Sequence, residues 1–375
     1  MRRWIAIAVI FAAVACPAVA QVRFDTETGP VELQTVADGL DHPWSLTFLP
    51  DGQMLVTERK GALRVVSEDG QLSAPIAGLP EVSAVGQGGL LDVVLHPDFT
   101  RNRLVYLSFA EPREEGNATA VMRGRLSVDD ARLDDVEVIF RQQPAYDGGY
   151  HFGSRLVFDR TGALFVTTGD RNALRNLVQQ GSNFIGKVIR IADDGSVPPG
   201  NPNVEGWLPE IWSMGHRNLQ GATLDDKGRL WTTEHGPQGG DELNHPEAGK
   251  NYGWPVITYG ENYGGGKIGG GITEKAGMEQ PVKYWVPSIA PSGLAYLTSD
   301  KYGKDWRGSF FVGSLKFRFV TRVPVAMAAT AATAGTEERV IELGQRVRDI
   351  RQGPDGLLYV LTEDARGRIV RLDPQ

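Results

Sequence analysis

Four short segments of this chain carry more chemistry than turn formation requires. They are Gly86-Gln87-Gly88-Gly89, Tyr150-His151-Phe152-Gly153, Gly215-His216-Arg217-Asn218 and the run from Glu234-His235-Gly236-Pro237 through Asp241-Glu242. His151 supplies an imidazole, the side chain whose ordinary titration range lets it accept a proton near neutral pH. Arg217 and Asn218 pair a guanidinium with an amide, donors suited to charge developing on an oxygen. Carboxylates and Gly/Pro backbone carbonyls around Asp241 and Glu242 are the hard oxygen ligands calcium prefers, whereas no Cys/His zinc pattern is evident. Further along, Lys316, Arg346 and Arg348 concentrate positive charge. A base, an oxygen-ligated cation and a cluster of cations suit a small polyanionic cofactor with a carbonyl at its reactive centre.

Each feature also has a plainer reading. A lone loop histidine is usually structural or solvated, and His42, His96, His216, His235 and His245 are read that way. A basic residue at a strand end is usually a solvated charge, and Gly-Pro is usually a turn. The combination is what carries weight.

These segments need a scaffold that brings distant residues to one place, and the sequence contains one. An apolar strand, an Asp/Gly turn and a second apolar strand recur six times, at 44–58, 91–109, 155–168, 221–233, 292–313 and 347–362. A third strand often follows, as at 62–66 and 368–372. A unit of short antiparallel strands cannot bury both faces alone, and its open edges invite aggregation. Six such sheets at a spacing of about 45–70 residues are best arranged radially. The expectation is an all-β, six-bladed propeller over residues 21–375, with a sandwich as the alternative. The chemistry-bearing segments occupy comparable loop positions in the repeat and should share one rim. The long connections around 170–186, 198–210 and 236–290 are assigned to that top face.

Composition narrows the function classes. The 46 glycines and 8 tryptophans favour a turn-rich β protein, and a net charge of −7 argues against nucleic acid as a partner. Residues 1–20 have a cationic start, an apolar run and the small-residue ending Ala18-Val19-Ala20, the layout of a secretory signal cut after Ala20. Export to the periplasm or the medium follows, with no membrane span. A lipoprotein acylated at Cys16 is the weaker alternative. Cleavage after Ala20 would remove Cys16, the only cysteine, and with it any disulfide or thiolate chemistry.

From Pro43 to its end the chain resembles the soluble PQQ-dependent glucose and aldose sugar dehydrogenases. The match runs through Gly86-Gln87-Gly88-Gly89, His151, Gly215-His216-Arg217-Asn218, Glu234 to Glu242, Asn251-Tyr252-Gly253-Trp254-Pro255, Gly313-Ser314-Leu315-Lys316 and Gln345-Arg346-Val347-Arg348-Asp349. The resemblance implies that His151 takes the proton of the anomeric hydroxyl while hydride leaves the same carbon for the quinone. It implies PQQ contacts from Gln87, Arg217, Asn218, Tyr263, Lys316, Arg346 and Arg348. Calcium would be held by the Gly236 and Pro237 carbonyls, with Glu242 and Tyr252 helping to organise it. The implied partners are aldose sugars and an unidentified electron acceptor, and the expected state is a monomer or weak dimer. One departure stands out: Tyr150 precedes His151 where the glucose-specific branch has Asp, so the group flanking the base differs. Two rival functions remain, a metal-dependent lactonase or hydrolase on the same fold and a non-catalytic propeller that binds glycan or peptide.

Overall fold

The computed structural model describes residues 22–328 and 331–375; the expected signal segment, its cut after Ala20 and Cys16 lie outside the described residues. The second strands of three repeats, Met54–Glu58, Leu164–Thr168 and Leu230–Glu234, are buried at every position. Sheets pack on both of their faces, so their sequences read as continuous apolar and β-branched runs rather than as alternation.

Six small sheets form, and their inner strands are Pro43–Phe48, Leu90–Leu95, Gly153–Phe158, Leu219–Leu224, Pro291–Tyr296 and Arg346–Gln352. Each inner strand lies against the next, and the sixth lies against the first. The molecule is therefore a closed six-bladed β-propeller. Apolar clusters fill the spaces between blades. Leu55, Leu90 and Leu107 join the first and second blades. Tyr106, Leu156 and Val166 join the second and third, and Trp231, Leu294 and Phe310 the fourth and fifth. A fully buried side chain of this size contributes about 1.5–3 kcal/mol.

The sixth blade is completed from the other end of the chain. Strand Gly29–Leu40 pairs antiparallel with Gly367–Pro374, with Val31 opposite Pro374 and Leu40 opposite Gly367, and Val22–Thr26 adds the outer edge. The six-copy repeat begins after these residues, so it did not anticipate them as the clasp.

Every inner hairpin shifts register at the entry end of its inner strand: at Pro43/Ser45, Leu90/Val93, Gly153/Leu156, Leu219/Gly221, Pro291/Leu294 and Val347/Asp349. Bulges re-aim side chains, and these six mark one rim. The connection at 198–210 leaves from the opposite rim, contrary to expectation. In a four-stranded antiparallel blade successive connections alternate between rims, and this one joins the third and fourth strands. Arg190 ties it to the far-rim turn, bonding the Pro199 carbonyl and Asn201 Oδ1 at 3.0 Å each and Asp159 at 2.8 Å.

Near the axis, Arg155 lies 3.2 Å from Asp92 and 3.0 Å from Asp349, and Arg351 reaches the same two carboxylates at 2.9 Å each. Arg351, half-buried, therefore completes this ionic quartet. Arg322 is likewise committed, to Glu338 at 2.8 Å and to Glu27.

Candidate active site

His151 sits on the entry rim of the third blade, 7 % exposed, with its backbone in the left-handed region at φ 52°. Its Nδ1 lies 2.6 Å from Asp170 Oδ1. Asp170 is itself buried, and its titration is lowered: burial opposes this, but the bond to His151, the nearby charges and the Asn172 amide outweigh it. An ionised carboxylate can only accept, so Nδ1 carries the proton and Nε2 is left with its lone pair. Trp254 Nε1 donates to the other Asp170 oxygen at 2.9 Å. Burial pulls His151 below its ordinary range, and Arg217 adds to the effect against the opposing pull of Asp170. The ring is therefore neutral at pH 7.

The loop bearing His151 is held from several sides. Its amide donates to Gln87 Oε1 at 2.9 Å, and the Gly153 amide donates to Asn218 Oδ1 at 3.2 Å. Asp170 N donates to the Arg217 carbonyl at 2.8 Å, so Asp170 touches both His151 and Arg217. Arg171, almost wholly buried, spends its guanidinium on the carbonyls of Tyr150, Asn117 and Gly148 at 3.0, 2.8 and 2.7 Å and stacks over Phe152. Asp170 and Arg171 were both missed from sequence. Tyr150, the residue that departs from the glucose-specific pattern, is 57 % exposed; Asp170, nineteen positions from His151, is the group that anchors its ring.

A signal for Asp170 does exist. Second strands end in Thr57-Glu58, Thr233-Glu234 and Thr362-Glu363, and in Thr168-Gly169-Asp170. Each acid grips the entry rim of its own blade. Glu58 accepts from the Asp41 amide, and Glu234 from His216 Nδ1 at 2.9 Å and the Arg217 amide at 2.6 Å. Glu363 takes Arg348 and lies 3.4 Å from Arg346.

Two hollows with shared walls open at this rim. One of about 920 Å³ is lined by Gly236, Pro237, Tyr263, Lys316 and Arg346. The other, about 510 Å³, is lined by Gln87, Asn218, Arg346 and Arg348. His235 walls both, with Nε2 2.7 Å from the Pro291 carbonyl and its titration pushed down to about 3 chiefly by burial. It is thus part of the cavity rather than a solvated loop residue. Arg348 is anchored by Glu363 and by Gln220 at 2.9 Å, yet its Nε is buried without a partner. Lys316 forms no ion pair among the described residues and lies over the Phe317 ring. A concave cationic site with an unanswered guanidinium nitrogen fits a flat molecule bearing several carboxylates.

The oxygen donors divide differently from the sequence expectation. Asp241 is used up within the protein: it accepts from the Gly236, Ile289 and Ala290 amides at 2.8, 2.7 and 2.9 Å and from Ser288, which leaves it no part as a metal ligand. The Gly236 carbonyl accepts from Arg217 Nη1 at 2.6 Å. A cation placed on that oxygen would have to turn the guanidinium away. Glu242 lies behind the cavity wall as the strand partner of Glu234, and its titration is pushed up to about 8 by burial and by that neighbour. Asn244 Nδ2 bridges the two carboxylates at 3.0 and 2.9 Å, while its own Oδ1 is buried without a donor. Two crowded carboxylates and an orphaned amide oxygen are a donor set for a hard divalent ion. Tyr252 packs beside them, its ring stacked 4.8 Å from His216 and its hydroxyl bonded to the His245 carbonyl. Neither Glu242 nor the Tyr252 ring borders the larger cavity.

The chain matches the family model described as Glucose / Sorbosone dehydrogenase over residues 40–371. It is 46 % identical over 352 residues to the aldose sugar dehydrogenase YliI of Escherichia coli K12, covering 92 % of this chain and 93 % of that protein. It superposes on the apo crystal structure of the soluble Escherichia coli aldose sugar dehydrogenase with a TM-score of 0.86 at 45 % identity, covering 92 % of this chain and 100 % of that one. The PQQ-bound aldose sugar dehydrogenase of Streptomyces coelicolor gives a TM-score of 0.75 at 30 % identity, covering 92 % and 98 %. With its family model spanning nearly the whole ring and its fold shared with these enzymes, this chain belongs to the glucose/sorbosone dehydrogenase family of oxidoreductases.

Proposed function

We propose that this protein oxidises aldose sugars at the anomeric carbon to lactones with PQQ and calcium, with His151 as the base. The observation that carries the reading is the buried His151–Asp170 pair at 2.6 Å beside Arg217, whose guanidinium donates to the Gly236 carbonyl on the wall of the cationic hollow. His151 Nε2, free of Asp170, accepts the proton of the anomeric hydroxyl; Asp170 holds the ring and stabilises the imidazolium that results. Arg217 and Asn218 place donors where negative charge collects on oxygen. Lys316, Arg346 and Arg348 would hold the carboxylates of PQQ, with Gln87 and Tyr263 completing the contacts. When bound, PQQ supplies the acceptor for the two electrons released with the hydrogen of that carbon. Calcium would be held by Glu242 with Tyr252 beside it, and by the Gly236 and Pro237 carbonyls once Arg217 turns aside.

Residues 1–20 are proposed to direct export, with a cut after Ala20. Among the described residues no helix is long and apolar enough to cross a membrane.

The test is dye-linked sugar oxidation by protein made without PQQ. Activity should appear only when PQQ and calcium are both added and should vanish on chelation. Full activity with a nicotinamide cofactor alone would overturn the reading, and so would lactone hydrolysis by the PQQ-free protein without any sugar oxidation.

A further inference from the structure

A third hollow of about 230 Å³ opens beside the two at the rim, walled at one end by Asp170, Arg217 and Trp254 and at the other by Asn172, Arg175 and Asn262. It meets the large cavity along Pro237 and Tyr263. Past Ile268 it continues into a groove of about 450 Å³ over Pro255 and Val256, where Arg175, Asn262 and Lys267 form the edge. The trough therefore starts at the group that anchors the base and runs outward to solvent.

Its walls suit a carbohydrate, with two amides and a guanidinium beside an aromatic ring, Tyr263, that is 72 % exposed at the junction. Its charge is more specific. Lys267 is answered by Glu261 at 2.9 Å. The polar contact of Arg175 is Asn262 Oδ1 at 3.4 Å, and among the described residues no carboxylate pairs with it. Asp170, the acid nearest the inner end, is committed to His151 and Trp254. An exposed guanidinium whose one hydrogen-bond partner among the described residues is an amide oxygen is open to an anion.

We infer that this trough binds the second unit of an acidic oligosaccharide. The reducing-end aldose lies at His151, and the next residue places a carboxylate against Arg175. The inference rests on the sugar-oxidising reading above and adds to it a preferred substrate class. The chemistry is unchanged: the anomeric carbon is oxidised as in the parent reaction, and the acidic unit contributes binding only.

The test compares glucose, cellobiose and its uronic counterpart glucuronosyl-β-1,4-glucose as substrates of the PQQ- and calcium-loaded protein at low ionic strength. The acidic disaccharide should exceed cellobiose in kcat/KM by roughly two- to fivefold, the scale of a solvent-accessible ion pair, and the gap should narrow in high salt. Arg175→Ala should abolish the preference and Arg175→Glu should reverse it, with glucose oxidation and melting temperature unchanged. Equal use of the two disaccharides by the unaltered protein, or a parallel fall for all three sugars in Arg175→Ala, would overturn the inference while leaving the parent reading standing. If the loaded protein oxidises no sugar, the parent reading falls, and this inference with it.

Discussion

A buried imidazole is a useful base only when something fixes which of its nitrogens carries the proton. Asp170 does so for His151, and the carboxylate in turn is held by Trp254 and the Asn172 amide. Replacing His151 with Gln keeps bulk and a hydrogen bond to Asp170 but accepts no proton. Turnover per bound PQQ should fall by about a hundredfold or more, while PQQ uptake and melting temperature hold. A near-normal rate in that variant would remove His151 from the chemistry. The pH dependence has a definite sign. Burial lowers His151 titration, so the basic form persists below the ordinary value of 6.5, and kcat/KM should rise with pH through a limb below about 6.5. Asp170→Asn removes the group that opposes the shift, so the limb should move further down in pH as the rate drops. A limb above pH 7 in the unaltered protein would contradict the burial argument. His151 stood out in the sequence as an imidazole in a loop that turn formation does not explain, and the resemblance gave it the proposed role of base. Asp170 left only the echo of the Thr-Glu strand ends in Thr168-Gly169-Asp170, because the fold and not proximity in the chain brings it to His151.

Loops at the rim are gripped by the strands beneath them, and the grip repeats. An acid closes the second strand of four blades, as Glu58, Asp170, Glu234 and Glu363; the first three bond the segment leading into their own inner strand, and Glu363 bonds the first residues of its inner strand. Glu363 shows the consequence for the cofactor. Though burial opposes it, Arg348 and Arg346 hold its titration down to about 2, against an ordinary 4.5. A depressed carboxylate adds stability that is fully present above pH 4.5 and is lost as pH falls toward 2. Glu363→Gln should therefore flatten the loss of melting temperature across that window. Arg348, fixed by Glu363 on one side, faces the hollow proposed for PQQ. Arg348→Ala should raise the PQQ concentration for half-reconstitution by roughly ten- to 150-fold, matching a charged hydrogen bond of about 1.5–3 kcal/mol, with the sugar KM of the loaded protein unchanged. A change in sugar KM alone would move the basic cluster to the substrate. The recurring Thr-Glu phrase was visible in the repeat, yet its role depends on register: one residue of slip would turn each acid away from the rim. The same limit misplaced 198–210, since a repeat read as strand and loop does not say on which rim a connection lies unless every strand is counted.

At the scale of the whole ring, stability depends on a closure that neither end of the repeat supplies alone. Gly29–Leu40 covers the open edge of the sixth blade, and its side chains enter two cores. Val31 packs with Leu358, Val360 and Leu372, while Ala37 and Leu40 pack with Leu361 and Ile369 where the sixth blade meets the first. Glu27 extends the clasp to the fifth blade, its amide 2.7 Å from Glu338 and its carboxylate on Arg322. The proposed cut after Ala20 leaves all of this intact. Burial of Val31 and Leu40 contributes about 3–6 kcal/mol, which is comparable with the net stability of an ordinary domain, about 5–15 kcal/mol. A chain lacking residues 22–40 should consequently melt at a markedly lower temperature and lose its single cooperative transition. It should also associate through the bare Gly367–Pro374 edge, an unpaired strand open to other chains. Leu40→Asp in the full chain separates packing from strand pairing: it keeps the ladder but buries a charge at the seam, and should lower the melting temperature without exposing the edge. Calorimetry and light scattering on the two variants would decide the matter. A truncated protein that remains monomeric and unfolds at the temperature of the full chain would show that the ring holds itself shut without its N-terminal strand.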